Sequence, residues 1–101
     1  MDQPSRSFGV MLEKLKNMLP ALKAQYHIQS LEVFGSFVRG EESKDSDLDL
    51  LVTFDQVPTL FQFVNLENTI SDELGIPVDL VMKENLKPSI AKYILDEAMP
   101  I

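Results

Sequence analysis

Residues 34–54 read FGSFVRGEESKDSDLDLLVTF, and the alternation in their last eight positions decides the fold. Successive side chains on an extended strand point to opposite faces. Leu48, Leu50, Val52 and Phe54 therefore share one face, and Asp47, Asp49, Leu51 and Thr53 share the other. So regular an apolar face belongs against a core. The opposite face begins with two acids, which a strand built only for packing would not carry. Side chains two apart on a strand lie about 6–7 Å from each other, and two ionised carboxylates at that distance repel by roughly 2.5 kcal/mol at an effective dielectric of about 20. A small domain has only about 5–15 kcal/mol of stability in all, so the repulsion needs a compensating partner.

Immediately upstream, GSFVRG reads as a strand end, an N-cap at Ser36, one helical turn and a stop at Gly40. A self-satisfied cap would place Glu or Gln three residues after the serine, but Arg39 stands there. The N–H groups at the positive end of the turn are then open to an external anion, with a guanidinium nearby to bind it.

The rest of the chain supplies a frame for this segment. Val10, Met11, Leu15, Met18, Leu19 and Leu22 recur at helical spacing within residues 5–26, where Pro20 implies either a kink or two helices, the second starting near Leu19. The run SLEVFGS, residues 30–36, suits a short strand ending at Gly35. Thr59 and Gln62 have capping-box spacing ahead of a helix through Leu74, with Phe63, Leu66, Ile70 and Leu74 on its inner face and Gly75 then Pro77 to stop it. In PVDLVM, residues 77–82, Val78, Leu80 and Met82 share one side of a strand and Asp79 points to the other. Pro88 opens a last helix in which Ile90, Ile94, Leu95 and Ala98 are expected to dock on the sheet. These elements predict an α/β fold: a small mixed sheet with acids on one face and helices on the other, in a single domain over residues 1–101.

Asp47 and Asp49 alone are also what a solvated strand edge would carry. Asp49 and Asp79 weigh against that, because both interrupt apolar runs where a merely solvated position would more naturally hold Thr, Lys or Ser. Few hard oxygen ligands, with positions left over for phosphate oxygens, describe a Mg²⁺ site.

Composition narrows the partners. Sixteen acidic and nine basic residues give a net charge of -7, and the basic ones form no cluster, which disfavours a long nucleic acid and favours a basic protein. The chain has no cysteine, hence neither a disulfide frame nor a thiolate zinc site. Its apolar runs fall short of a membrane span and its first ten residues lack the order of a secretory signal, so a cytoplasmic location is expected.

Gly35-Ser36, ten intervening residues, Asp47-x-Asp49 and the later strand acid Asp79 together resemble the signature of the nucleotidyltransferase superfamily related to DNA polymerase beta. The resemblance spans roughly residues 30–82, and with LKPSIAKYILDEA at residues 86–98 the chain looks like the minimal branch, antitoxins of the HEPN/MNT toxin–antitoxin type. It implies that Gly35 and Ser36 grip a nucleoside triphosphate, with Arg39 assisting. It implies that Asp47 and Asp49 coordinate two Mg²⁺ ions, and that Asp79 binds the second ion and helps deprotonate the attacking hydroxyl. The reaction implied is transfer of AMP from ATP to a tyrosine of an all-helical HEPN toxin, in a hetero-oligomer, with no direct role for nucleic acid or membrane. Two alternatives stay open: an antitoxin that neutralises a basic toxin by contact alone, and a small-molecule nucleotidyltransferase that completes its acceptor pocket by dimerising.

Other singular residues read as structural. His27 has no partner acid at ligand spacing and fits a helix end or loop. Phe54 and Phe63 fall on inner faces, and so do Met11, Met18 and Leu22, whereas Phe61 falls off its helix's inner face and is expected to be exposed. Lys44 is read as a solvated flank, and Tyr26 and Tyr93 show no evident role.

Overall fold

The computed structural model describes residues 7–101. Helix α1 spans Phe8–Tyr26, so Ser5 and Arg6, the start of the expected helix, lie outside the described residues. Pro20 sits inside α1, and the second helix expected to begin near Leu19 does not form. Pro20 is exposed, while Met11, Leu15, Leu22 and Tyr26 on both sides of it are buried; burial of the common face carries the helix across the missing hydrogen bond. His27 ends α1 in the left-handed conformation, φ 59°, as a helix-end residue.

Strand β1 runs Ile28–Phe34, the short helix α2 Ser36–Arg39, and strand β2 Leu48–Phe54. Helix α3, Leu60–Leu74, begins with the expected capping box: Thr59 accepts from the Gln62 N–H, and the Gln62 side chain accepts from the Thr59 N–H. It ends at Gly75. Strand β3 covers Val78–Met82, followed by a single 3-10 turn, helix α4 at Pro88–Glu97, and a two-residue strand β4 at Met99–Pro100.

The sheet is mixed, in the order β3-β2-β1-β4. Strands β1 and β2 pair antiparallel with Val33 opposite Leu50 and Leu31 opposite Val52, while β2 and β3 pair in parallel with Leu50 beside Leu80. These residues form one apolar face, and α1 and α3 cover it with Met11, Leu15, Leu22, Leu66, Ile70 and Leu74. The Tyr26 hydroxyl, buried with the end of α1, accepts a 2.7 Å bond from the Asn65 amide on α3, which gives that tyrosine the role its sequence position did not reveal.

Helix α4 departs from expectation. No residue of the helix is fully buried; Ile90 and Leu95, expected to dock, are 46% and 43% exposed, while Ile94 and, just past the helix end, Ala98 are half-buried. A polar connection to the rest of the fold runs through Glu97, next to β4. Phe61 is exposed as expected, together with its neighbours Leu60 and Val57.

Candidate functional site

The chain makes a tight turn where β1 ends. Gly35, φ 88°, is the N-cap of α2, and its carbonyl accepts from the Val38 and Arg39 N–H groups. The cap is therefore Gly35 and not Ser36: the reversal out of β1 demands a positive φ that a serine would resist. Space demands glycine as well, since a Cβ at Gly35 would lie 3.0 Å from Asp49 Cγ and closer still to Oδ2. Ser36 and Phe37 open the turn, where N–H groups have no intrahelical acceptor. Gly40 closes it in the left-handed conformation, φ 72°.

Register brings the acids to this turn. Asp49 pairs with Phe34 on one side and with Asp79 on the other, so both carboxylates lie on the sheet face opposite the core, one strand spacing (about 4.8 Å) apart. Asp47 precedes β2 and is exposed, as is Asp79, while Asp49 is half-buried beneath the turn. Burial, then the charges of Asp79 and Asp47, push the Asp49 carboxyl up to about 6; Arg39 acts in the opposite direction. On this face Leu51, between Glu32 and Val81, is buried although it takes no part in the main core.

Sequence reasoning missed Glu97. Its Oε2 accepts a 2.7 Å bond from the Gly35 N–H, and both its oxygens accept from Arg39 Nη1 at 3.0 and 3.1 Å. Arg39 also donates from Nε to Glu41 at 3.0 Å. The Gly35 N–H is thus already engaged, and Arg39 spans two carboxylates. Nothing in the spacing of the primary sequence marks Glu97, which lies 62 residues from Gly35.

Comparison with known proteins agrees with this fold. The family model described as "Nucleotidyltransferase domain" matches residues 15–100. The chain belongs to the nucleotidyltransferase domain family. The protein adenylyltransferase MntA of Thermococcus cleftensis is 44% identical over 92 residues, 87% of this chain and 93% of that protein. A solved structure described as "putative minimal nucleotidyltransferase" superposes with a TM-score of 0.76 at 37% identity, covering 89% of this chain and 92% of the other. A complex of tri-AMPylated Shewanella oneidensis HEPN toxin with an MNT antitoxin shares the fold, with a TM-score of 0.66 at 15% identity over 89% of this chain and 70% of that one.

As a nucleotidyltransferase of the minimal, adenylyltransferase type, the chain has all six positions singled out from sequence in one neighbourhood: Gly35, Ser36 and Arg39 on the turn, and Asp47, Asp49 and Asp79 on and beside the adjoining strands. Their chemistry fits Mg²⁺. The donors are hard oxygens, and of the two causes that raise the Asp49 carboxyl, burial first and the charges of Asp79 and Asp47 second, the second is what a divalent cation would neutralise. Among the described residues no three acids, histidines or cysteines are gathered closely enough to hold a metal unaided. Mg²⁺ is usually held by one or two carboxylates with substrate phosphates completing its shell. Among the described residues, no helix is long and apolar enough to cross a membrane.

Proposed function

We propose that this nucleotidyltransferase transfers AMP from ATP to a tyrosine hydroxyl of an all-helical HEPN toxin and so acts as its antitoxin, in the cytoplasm, through a hetero-oligomer of the two proteins. The observation that carries the reading is Asp49, set against the glycine turn at Gly35 and in register with Asp79 on the neighbouring strand. The kinship with an adenylyltransferase and with an AMPylated toxin–antitoxin pair supports the acceptor class.

In this mechanism the N–H groups opening the Ser36 turn, the Ser36 hydroxyl and Arg39 hold the triphosphate. Asp47 and Asp49 would hold two Mg²⁺ ions, with Asp79 at the second. Such ions, when bound, offset phosphate charge and favour in-line displacement. The tyrosine oxygen attacks the α-phosphorus, the bond from that phosphorus to the bridging oxygen of the β-phosphate breaks, and pyrophosphate leaves. Asp79 accepts the hydroxyl proton. Asp49, half-buried and close to the turn, would hold its ion beside the bound triphosphate.

Intact-mass spectrometry of the HEPN partner after incubation with this chain, ATP and Mg²⁺ tests the proposal. One or more AMP-sized gains with the wild type and none with the Asp47→Asn, Asp49→Asn variant is the expected result. Unchanged mass with retained, neutralising binding would instead mean neutralisation by contact alone.

A further inference from the structure

The antiparallel register of β1 and β4, extended beyond its two observed pairs, points from the turn to the end of α4. Glu32 opposes Pro100 and Val33 opposes Met99, and two residues further on the same register would set Gly35 opposite Glu97. By then β4 has ended and Glu97 is the last residue of α4, with no strand backbone left to receive the Gly35 N–H. The Glu97 side chain replaces the missing ladder acceptor at 2.7 Å. Gly35 is buried, so without this carboxylate its N–H would be left unpaired at a site where glycine is required by both φ and space.

The same carboxylate takes both bonds from Arg39 Nη1. One group therefore fixes the first residue of the turn and the cation four residues later, from a helix that buries no side chain of its own. The Glu97 side chain is 22% exposed against 47% for Arg39, so it is the more sheltered member of the pair.

We propose that Glu97 is a positioning residue of the donor site, holding the Gly35 N–H and the Arg39 guanidinium in the arrangement that receives a nucleoside triphosphate. The proposal rests on the nucleotidyltransferase reading of the Gly35–Arg39 turn. Glu97 does not contact the reacting atoms; it acts through the turn. It also makes α4 part of the donor site, because the helix is tied to the turn by this side chain.

The test titrates a non-hydrolysable ATP analogue with Mg²⁺ into the full chain as wild type, Glu97→Gln and Glu97→Ala, with amide hydrogen exchange followed across residues 35–39. Glu97→Ala is expected to weaken analogue binding by about tenfold or more and to speed exchange in the turn, leaving exchange in α3 at the wild-type rate. Glu97→Gln keeps an oxygen for the Gly35 N–H and loses the charge facing Arg39, so it should fall between the two. A purely structural role predicts neither the graded affinity nor the partial rescue by glutamine.

Unchanged or tighter binding by folded Glu97→Ala overturns the proposal; tighter binding would mean that Glu97 competes with the triphosphate. If Glu97→Ala does not fold, Glu97→Gln decides: a loss of several-fold supports the proposal and wild-type affinity overturns it. Failure of the wild type itself to bind the analogue overturns the donor-site reading and this proposal with it, whereas equal binding by wild type and variants overturns the proposal alone.

Discussion

The Asp49 carboxyl, raised to about 6 by burial and by its neighbours Asp79 and Asp47, sets a pH dependence for the apo fold. In the unfolded chain an aspartate titrates near its ordinary value of 3.8. Below that value both states are protonated and Asp49 carries no penalty. Between about pH 4 and 6 the unfolded chain releases a proton that the folded chain retains, so stability falls as pH rises, and above about 6 the full penalty applies. With solvent screening discounted, it comes to roughly 1–2 kcal/mol. Asp49→Asn should therefore melt several degrees higher than the wild type at pH 7.5, converge with it near pH 4, and transfer no AMP. A variant melting lower at pH 7.5 would show that the carboxylate is not a burden to the apo fold. The glycines make a second residue-scale contrast. Gly35→Ala meets both a forbidding φ and the Asp49 carboxylate, while a Cβ at Gly40 has open space around it and only φ against it. Gly40→Ala is expected to cost about 1–2 kcal/mol in denaturant melts with near-normal nucleotide binding. Gly35→Ala should cost more and abolish binding.

At the scale of elements, β3 is a sheet edge, and it is protected from an unexpected direction. The Leu80 N–H donates to the Glu67 carboxylate of α3 at 2.8 Å, closing part of the row of backbone groups that an edge would otherwise present. Glu67→Ala should lower stability by about 1–3 kcal/mol and raise the amide exchange rate at Leu80 far more than at Leu50 in the sheet interior. Equal effects at the two amides would mean that Glu67 does not guard the edge. Strands β2 and β3 and helix α3 were readable because their signals are local: period-two alternation, a Thr59–Gln62 box, and Gly75 followed by Pro77. The acid pair was readable for the same reason, since strand alternation alone assigns Asp49 and Asp79 their face. Pro20 left a kinked helix and two helices both open, because propensity is local and the burial that decides for one helix is tertiary. The role of Glu97 escaped because it depends on β4, a two-residue strand without a periodic pattern, meeting β1 from the far end of the chain.

Over the whole molecule, the net charge of -7 and the crowding of Asp47, Asp49, Asp79 and Glu97 around one turn have the same sign, so local and global fields both disfavour the arrangement until a cation enters. Glu97 adds to the burden on Asp49 even as it holds the turn, and Arg39 alone offsets it among the groups that shift that carboxyl. Folding and cation binding are then linked: an ion that binds the folded site and not the unfolded chain stabilises the fold by RT ln(1 + [L]/Kd). At ten times the Kd this amounts to about 1.4 kcal/mol, or roughly 5–10 °C in the melting temperature of a domain this size. Titrating Mg²⁺ into the wild type at constant ionic strength should therefore raise its melting temperature progressively. The gain should shrink strongly in Asp49→Asn, even though that variant begins from the higher value without metal. Holding ionic strength constant separates this from general screening of the -7 charge, which would lift wild type and variant alike. Parallel rises in the two proteins would therefore assign the effect to screening and remove the cation from the site.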